Sequence, residues 1–374
     1  MQKTIYLDHA ATTFVDEIVL NKMIPYFHIS YGNPSSMYEI GRQNKRTIEL
    51  ARNQVAGAIG AKQKEIYFTS CGSESDNLAL KGIAYANKSK GKHIITSKIE
   101  HPAILNTCKT LEKQGYEVTY INVDQKGFVK LDELKNSIRK DTILISIMFA
   151  NNEIGTIQQI EQIGIIATQN NIIFHTDAVQ AIGNIKIDVK KLGIDLLSMS
   201  AHKFYGPKGV GALYVRNGIE FERIQDGGHQ EKGKRSGTEN VAGIVGLAEA
   251  LKLANNNIEN NNKRILDNRN YFIKKLKEKV KDIEINGDLE KRLPGNINIT
   301  FKEKDSLEML LKLDEQGICA SAGSACSTGE TAPSHVLTAI GLPPEKAFST
   351  LRFSLGKENT KEEIDYVVNV LSKI

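Results

Sequence analysis

From about residue 60 to 215, short runs of Ile, Val, Phe and Tyr alternate with stretches whose apolar residues recur every three to four positions. The short runs lie at 65–69, 93–97, 117–122, 142–149, 172–176, 195–198 and 211–215, and the helical stretches at 78–87, 103–114 and 160–169. This alternation predicts βαβ units feeding a largely parallel sheet. Residues 143–149 carry little polar alternation, as suits a strand covered on both faces. Residues 240–281 predict one long helix or two in tandem, with an Asn-rich joint at 255–262. A strand (295–301), a helix (306–316), a Gly/Ser-rich loop (321–330) and a final helix (361–372) follow, an α+β pattern. The expected organisation is α/β: an N-terminal segment (1–15), a large domain (16–250) with a mainly parallel sheet flanked by helices, and a smaller α+β domain (251–374).

A length of 374 residues accommodates that division, and 40% hydrophobic with 25% charged residues is ordinary for a globular chain. The net charge of +5 is mild. It permits an acidic partner, but no basic block interleaved with aromatics predicts direct nucleic-acid binding. The four cysteines, Cys71, Cys108, Cys319 and Cys326, form no C-x-x-C pair or Cys/His cluster, so no metal site is expected. The N-terminus lacks an apolar signal core, and no apolar run approaches the ~18 residues of a membrane span. The expectation is a cytoplasmic protein with reduced thiols.

In open α/β sheets ligands sit beyond the carboxyl ends of the strands, so chemistry is sought there. Ser70-Cys-Gly-Ser-Glu-Ser-Asp-Asn77 follows the first run and opens a helix. Gly72 allows close backbone approach and Ser73 offers a hydroxyl, a seat for phosphate at a helix N-terminus. The same residues also suit a plain cap supported by Asp76. Asp177 follows the fifth run and suits a cationic ring nitrogen, with Gln180 three residues on, or else it caps the next segment. Lys203, flanked by Ser200 and His202, follows an apolar run, where lost solvation favours Schiff-base chemistry; a surface lysine before a Gly-Pro turn is the alternative. His101 suits stacking or proton transfer, and Asn152 suits a carboxylate or a ring substituent, although both also suit turns. A phosphate seat, a ring-nitrogen partner, a lysine, a stacking histidine and an amide at successive strand ends are what a flat, phosphorylated, carbonyl-bearing cofactor needs. No Walker motif or G-x-G-x-x-G opens a helix, which disfavours nucleotide binding.

Tyr6-Leu-Asp-His-Ala-Ala-Thr-Thr13, Gly32-Asn-Pro-Ser35, the 69–77 loop, Glu100-His-Pro102, Asn151-Asn-Glu153, Asp177-Ala-Val-Gln180, Ser200-Ala-His-Lys203, Arg235-Ser-Gly-Thr238 and Ser324-Ala-Cys326 together resemble the cysteine desulfurases of the NifS/IscS group, in the class V aminotransferase family of fold-type I pyridoxal enzymes. The resemblance runs in unbroken order from residue 4 nearly to the C-terminus. It implies pyridoxal 5'-phosphate as cofactor, with Lys203 as the Schiff-base lysine, Asp177 on the pyridinium, Gln180 on the phenolic oxygen and His101 stacked on the ring. Gly72, Ser73, Ser200 and His202 would hold the phosphate, and Thr238 would reach the phosphate of a neighbouring subunit, implying a homodimer. Asn152 would touch cofactor and substrate, while Asn33 and Arg352 would hold the carboxylate of L-cysteine. The planar fork of an arginine suits that last role, though a surface salt bridge is the commoner fate. Cys326, in a loop of small residues, would take the sulfur as a persulfide and pass it to an iron–sulfur scaffold or a tRNA-thiolation enzyme. A selenocysteine lyase, another class V enzyme or a non-catalytic sulfur-transfer scaffold are the alternatives. Ser73 stands where many relatives carry Thr, and His9 where many carry Tyr or Asn. The chain ends at Ile374, short of the extension by which the housekeeping type docks its scaffold, which implies a different partner or docking mode.

Overall fold

The computed structural model describes residues 4–323 and 332–374. Its strands are β1 (Ile5–Tyr6), β2 (Ile66–Thr69), β3 (His93–Ser97), β4 (Glu117–Ile121), β5 (Thr142–Ser146), β6 (Ile173–Asp177), β7 (Leu196–Ser200), β8 (Gly211–Val215), β9 (Ile283–Ile285), β10 (Asn296–Phe301), β11 (Ile318–Cys319) and β12 (Thr350–Ser354). All seven runs read between residues 65 and 215 become strands of one sheet, in the order β2-β8-β7-β6-β5-β3-β4. β3 to β7 run parallel, while β8 is antiparallel to both β7 and β2. β2 therefore points the same way as β7, and the ends of β2, β3, β6 and β7 open on one side. Every residue of β3, β5, β7 and β8 is buried, as their unbroken apolar character requires of a sheet covered on both faces.

The connecting helices begin where local chemistry satisfies their free N–H groups. Pro102–Lys113 has proline in its first turn, and the His101 Nδ1 accepts from Ala103 N at 3.1 Å. Gly72–Ala86 starts without any side-chain cap. Its capping position is Cys71 rather than Ser73, and Asp76 lies inside the helix and takes no part in capping, so the helix start keeps N–H groups for a ligand. The 240–281 stretch is two helices, Val241–Asn256 and Ile258–Lys279, joined at Asn257 within the Asn-rich stretch.

A second sheet, β12-β10-β9, is antiparallel, and β1 pairs with β11 in parallel. Ile5 and Leu7 share a core with Phe272, Ile297, Phe353 and Val367, so the N-terminal segment packs with C-terminal residues. That return crosses Asp8 to Ala11 over the open end of the large sheet, where Ala10 N donates to Ser354 Oγ at 2.8 Å.

Candidate active site

A cavity of about 190 Å³ lies where the Gly72–Ala86 helix start meets the ends of β6 and β7. Asp177 and Ser200 are the last residues of those two strands, and Lys203 follows on the short 3-10 turn Ala201–Lys203. Gly72, Ser73, His101, Asn152, Asp177, Gln180, Ser200, His202, Lys203 and Arg352 all line it. The fold thus brings together ten side chains or backbone positions drawn from residues 72 to 352.

Lys203 Nζ donates to the carbonyls of Ala10 (2.5 Å) and Ala11 (2.7 Å). Gln180 Nε2 donates to the same Ala10 oxygen at 2.9 Å. Asp177 is 6% exposed, and its Oδ1 accepts from Val179 N at 2.9 Å. Burial raises its carboxyl above the usual range, while His101 and Lys203 oppose that rise. Burial lowers His101, and Asp177 works against the shift. Burial, aided by Lys203 and Lys208, pushes His202 down to about 4, so its ring is neutral and its Nδ1 lies 3.1 Å from Thr12 Oγ1.

Arg352 is 1% exposed and is no surface salt bridge. Its Nη2 donates to Asp8 Oδ1 at 2.7 Å and its Nη1 to the Asn152 carbonyl at 3.1 Å, while its Nε has no partner. Asp8 is the residue that strand-end reading missed. It sits in a quoted motif, but only the fold shows that it faces Arg352. Glu100 was also passed over. It is fully buried and accepts from Ser97 Oγ (2.5 Å) and from Met148 N (3.0 Å), and burial pushes its carboxyl up to about 8.

Two features fit a phosphate. The buried Ser200 Oγ has no hydrogen-bond partner, and a Cβ on Gly72 would stand 2.7 Å from Val179 Cγ2 and 3.5 Å from Ser200 Cβ, inside the same cradle. With an amine at one wall and a buried carboxyl at another, the donors suit a phosphorylated carbonyl compound with a basic ring nitrogen. Asn33 and Thr238 are exposed and lie outside this cavity. Cys326 lies outside the described residues. Among the described residues no group of three His, Cys, Asp or Glu side chains is arranged for a metal, and no helix is long and apolar enough to cross a membrane.

The model of the class-V aminotransferase family matches residues 5–367. A cysteine desulfurase IscS of Clostridium botulinum is 53% identical over 376 residues, covering 100% of this chain and 95% of that protein. A cysteine desulfurase IscS of Methanosarcina thermophila is 55% identical over 372 residues, covering 100% and 92%. A solved NifS-like protein superposes with a TM-score of 0.94 at 39% identity, covering 99% of both chains. With a family match from Ile5 to Val367 and relatives this similar along its whole length, the chain belongs to the class-V aminotransferase family.

Proposed function

We propose that the cavity seats pyridoxal 5'-phosphate and that the chain is a cysteine desulfurase, converting L-cysteine to L-alanine and carrying the sulfur as a persulfide on Cys326. The observation that carries this reading is one cavity lined by Lys203, Asp177 and a buried, partnerless Ser200 hydroxyl. Full-length relatives named cysteine desulfurase support it.

Bound pyridoxal phosphate supplies an aldehyde carbon and an electron-accepting ring. Gly72, Ser73, Ser200 and His202 hold the phosphate at the helix start. Asp177 keeps the ring nitrogen protonated, Gln180 donates to the phenolic oxygen, and His101 stacks on the ring. Lys203 would hold the cofactor through its amine, and the same amine is the base that would move the substrate α-proton. Arg352 and Asn33 orient the substrate carboxylate, Asn152 touches substrate and cofactor, and the partnerless Nε of Arg352 is a donor for that carboxylate. The Cys326 thiolate bonds to the substrate sulfur, the substrate C–S bond breaks, and the carbon gains a proton, so cysteine plus thiol gives alanine plus persulfide. The acceptor is a protein of iron–sulfur assembly or tRNA thiolation in the cytoplasm.

Thr238 serves the phosphate of a second copy, making the enzyme a homodimer. The exposed Phe27, Ile29, Tyr31 and Met37, which flank Asn33 in sequence, suit burial against that copy. The cofactor domain comprises residues 16–250, and residues 251–374 form the smaller domain bearing the Cys326 loop.

Two variants test the reading. Lys203→Ala is expected to lose the borohydride-reducible cofactor adduct. Cys326→Ala is expected to keep the cofactor colour while alanine formation from cysteine stops. An unchanged adduct in the first, or parental alanine formation in the second, overturns the assignment of that residue.

A further inference from the structure

One buried acid of the pocket has no part in the chemistry above. Asp76 lies one turn into the Gly72–Ala86 helix, is 1% exposed, and lines the cavity alongside Asp177. Its Oδ1 has no hydrogen-bond partner and stands 3.7 Å from His175 Nε2, too far for a hydrogen bond.

Strand register gathers its neighbours into one row. His175 and Asp177 are two apart on β6 and share a face of the sheet. Ser146 on β5 is in register with His175, and Ser198 on β7 is in register with Asp177. His175 meets Ser146 Oγ at Nδ1 (2.9 Å) and Ser198 Oγ at Nε2 (3.0 Å), and the Ser198 hydroxyl eases the charge of Asp76. Burial drives His175 down to about 3, so it brings no positive charge. The largest charges acting on Asp76 are those of Asp177, Glu100 and Cys71, and all three raise its carboxyl. Lys203 and His101 both act on Asp177.

A buried carboxylate requires donors or an opposite charge at both oxygens, and the Oδ1 of Asp76 has neither within hydrogen-bond distance. Asp177 has a backbone N–H and, on the reading above, the ring nitrogen. Two neighbouring buried carboxyls do not both ionise when one cation serves them. Burial, and then the charge of Asp177, push the Asp76 carboxyl well above its ordinary range, and Ser198 offsets this only in part.

We propose that Asp76 is an uncharged, proton-carrying positioning residue of the cofactor pocket, supporting the Ser198–His175 row beneath Asp177 and leaving Asp177, among the described residues, the anion that faces the ring. This rests on the pyridoxal-phosphate reading for its consequence at the ring, but the protonation itself is read without cofactor.

In the cofactor-free protein, the infrared difference between parent and Asp76→Asn at pH 7 is expected to contain a deuterium-sensitive protonated-carboxyl stretch that the variant lacks. Its absence overturns the proposal. In the holoenzyme, Asp76→Asn is expected to keep the midpoint pH of the visible cofactor band within about 0.3 unit of the parent. A fall of about one unit or more, a tenfold change in proton affinity, marks Asp76 as an anion and overturns it. Asp76→Ala, which removes the support, is expected to weaken cofactor binding about fivefold to tenfold, with Asp76→Asn restoring it; equal affinities in the parent and Asp76→Ala sink the positioning role. If Asp76→Asn does not fold, the parent protein labelled with ¹³C at its aspartate carboxyls carries the test. One carboxyl must hold its protonated shift from pH 6 to 8, and its absence overturns the proposal. A parent without a visible cofactor band refutes the pyridoxal reading, while the infrared result still decides the state of Asp76.

Discussion

Gly72→Ala puts one methyl into the proposed phosphate cradle and is a sharp test of where the phosphate sits. The new Cβ would meet Val179 Cγ2 at 2.7 Å, well inside the 3.4 Å at which ordinary contact begins. Val179 is β-branched and turns little about χ1, so relief has to come from a shift of the helix start or of the Val179 backbone. Either displaces the N–H groups that face the phosphate. Hydrogen bonds to a charged group are each worth about 1.5–3 kcal/mol, so losing one weakens cofactor binding roughly 10- to 100-fold. The same crowding costs stability about 1–3 kcal/mol, of which the helix preference of alanine over glycine returns at most about 1 kcal/mol. The assay is titration of pyridoxal phosphate into cofactor-free protein, with thermal melts run without cofactor. Gly57→Ala is the control, since its Cβ meets nothing within 4 Å on the Glu39–Ala58 helix. It is expected to raise stability by about 0.5–1 kcal/mol and leave affinity alone. If Gly72→Ala binds cofactor within about twofold of the parent while folding normally, the phosphate does not rest on this helix start.

Two further outcomes follow from buried charge. Burial lifts the Glu100 carboxyl from its ordinary 4.5 to about 8, so between those pH values the folded state holds a proton that the unfolded state has released. Stability therefore falls as pH rises, by about 1.4 kcal/mol per unit for this group. His175, lowered to about 3, works oppositely up to the ordinary 6.5 of an imidazole, so between pH 6.5 and 8 the Glu100 decline is no longer offset by it and adds to that of Asp76. Chemical denaturation is expected to show that decline shrink in Glu100→Gln, and an identical decline in the variant refutes the assignment. Arg352→Gln leaves Asp8 facing a neutral amide and is expected to cost about 3 kcal/mol, with part of the loss recovered by adding Asp8→Asn. Strict additivity of the two substitutions in denaturant melts would show that the pair contributes nothing.

The large sheet was legible because each strand is a short apolar run bounded by turn residues, and burial on both faces removes the ambiguity of alternation. The run at 142–149 overshoots β5, which ends at Ser146, yet Ile147 N and Phe149 N still bond the carbonyls of His175 and Asp177, so the chain continues along β6 without regular pairing. The 39–58 helix was not legible. Its buried face includes Asn44 and Arg52, the latter gripping Glu231 at 2.6 and 2.8 Å, and polar residues on an inner face erase the apolar period. β1 and β11 were invisible for another reason: two-residue strands pair Ile5 with Ile318 across the whole chain, which no local window registers. In the site, strand-end reading located nine of the ten expected residues that share the cavity, and Arg352 came from the family resemblance. Asn33 and Thr238 came only from the family motifs and lie outside it.

The N-terminal segment sets the position of the lysine through its backbone rather than its side chains. Asp8 is fixed by Arg352 of β12, and His9 Nδ1 and Ala10 N meet the Ser354 carbonyl and hydroxyl of the same strand. The carbonyls of Ala10 and Ala11, so placed, receive Lys203 Nζ. Withdrawing the amine from them to engage a cofactor does not strand both oxygens, because Gln180 Nε2 still donates to Ala10. Only the Ala11 carbonyl gives up its lysine donor, and a solvated carbonyl costs far less than a buried one. The same strand that carries Arg352 therefore also fixes the resting place of the lysine. Moving β12 relative to the large sheet would shift both groups together, which keeps the Lys203 amine and the Arg352 guanidinium in step.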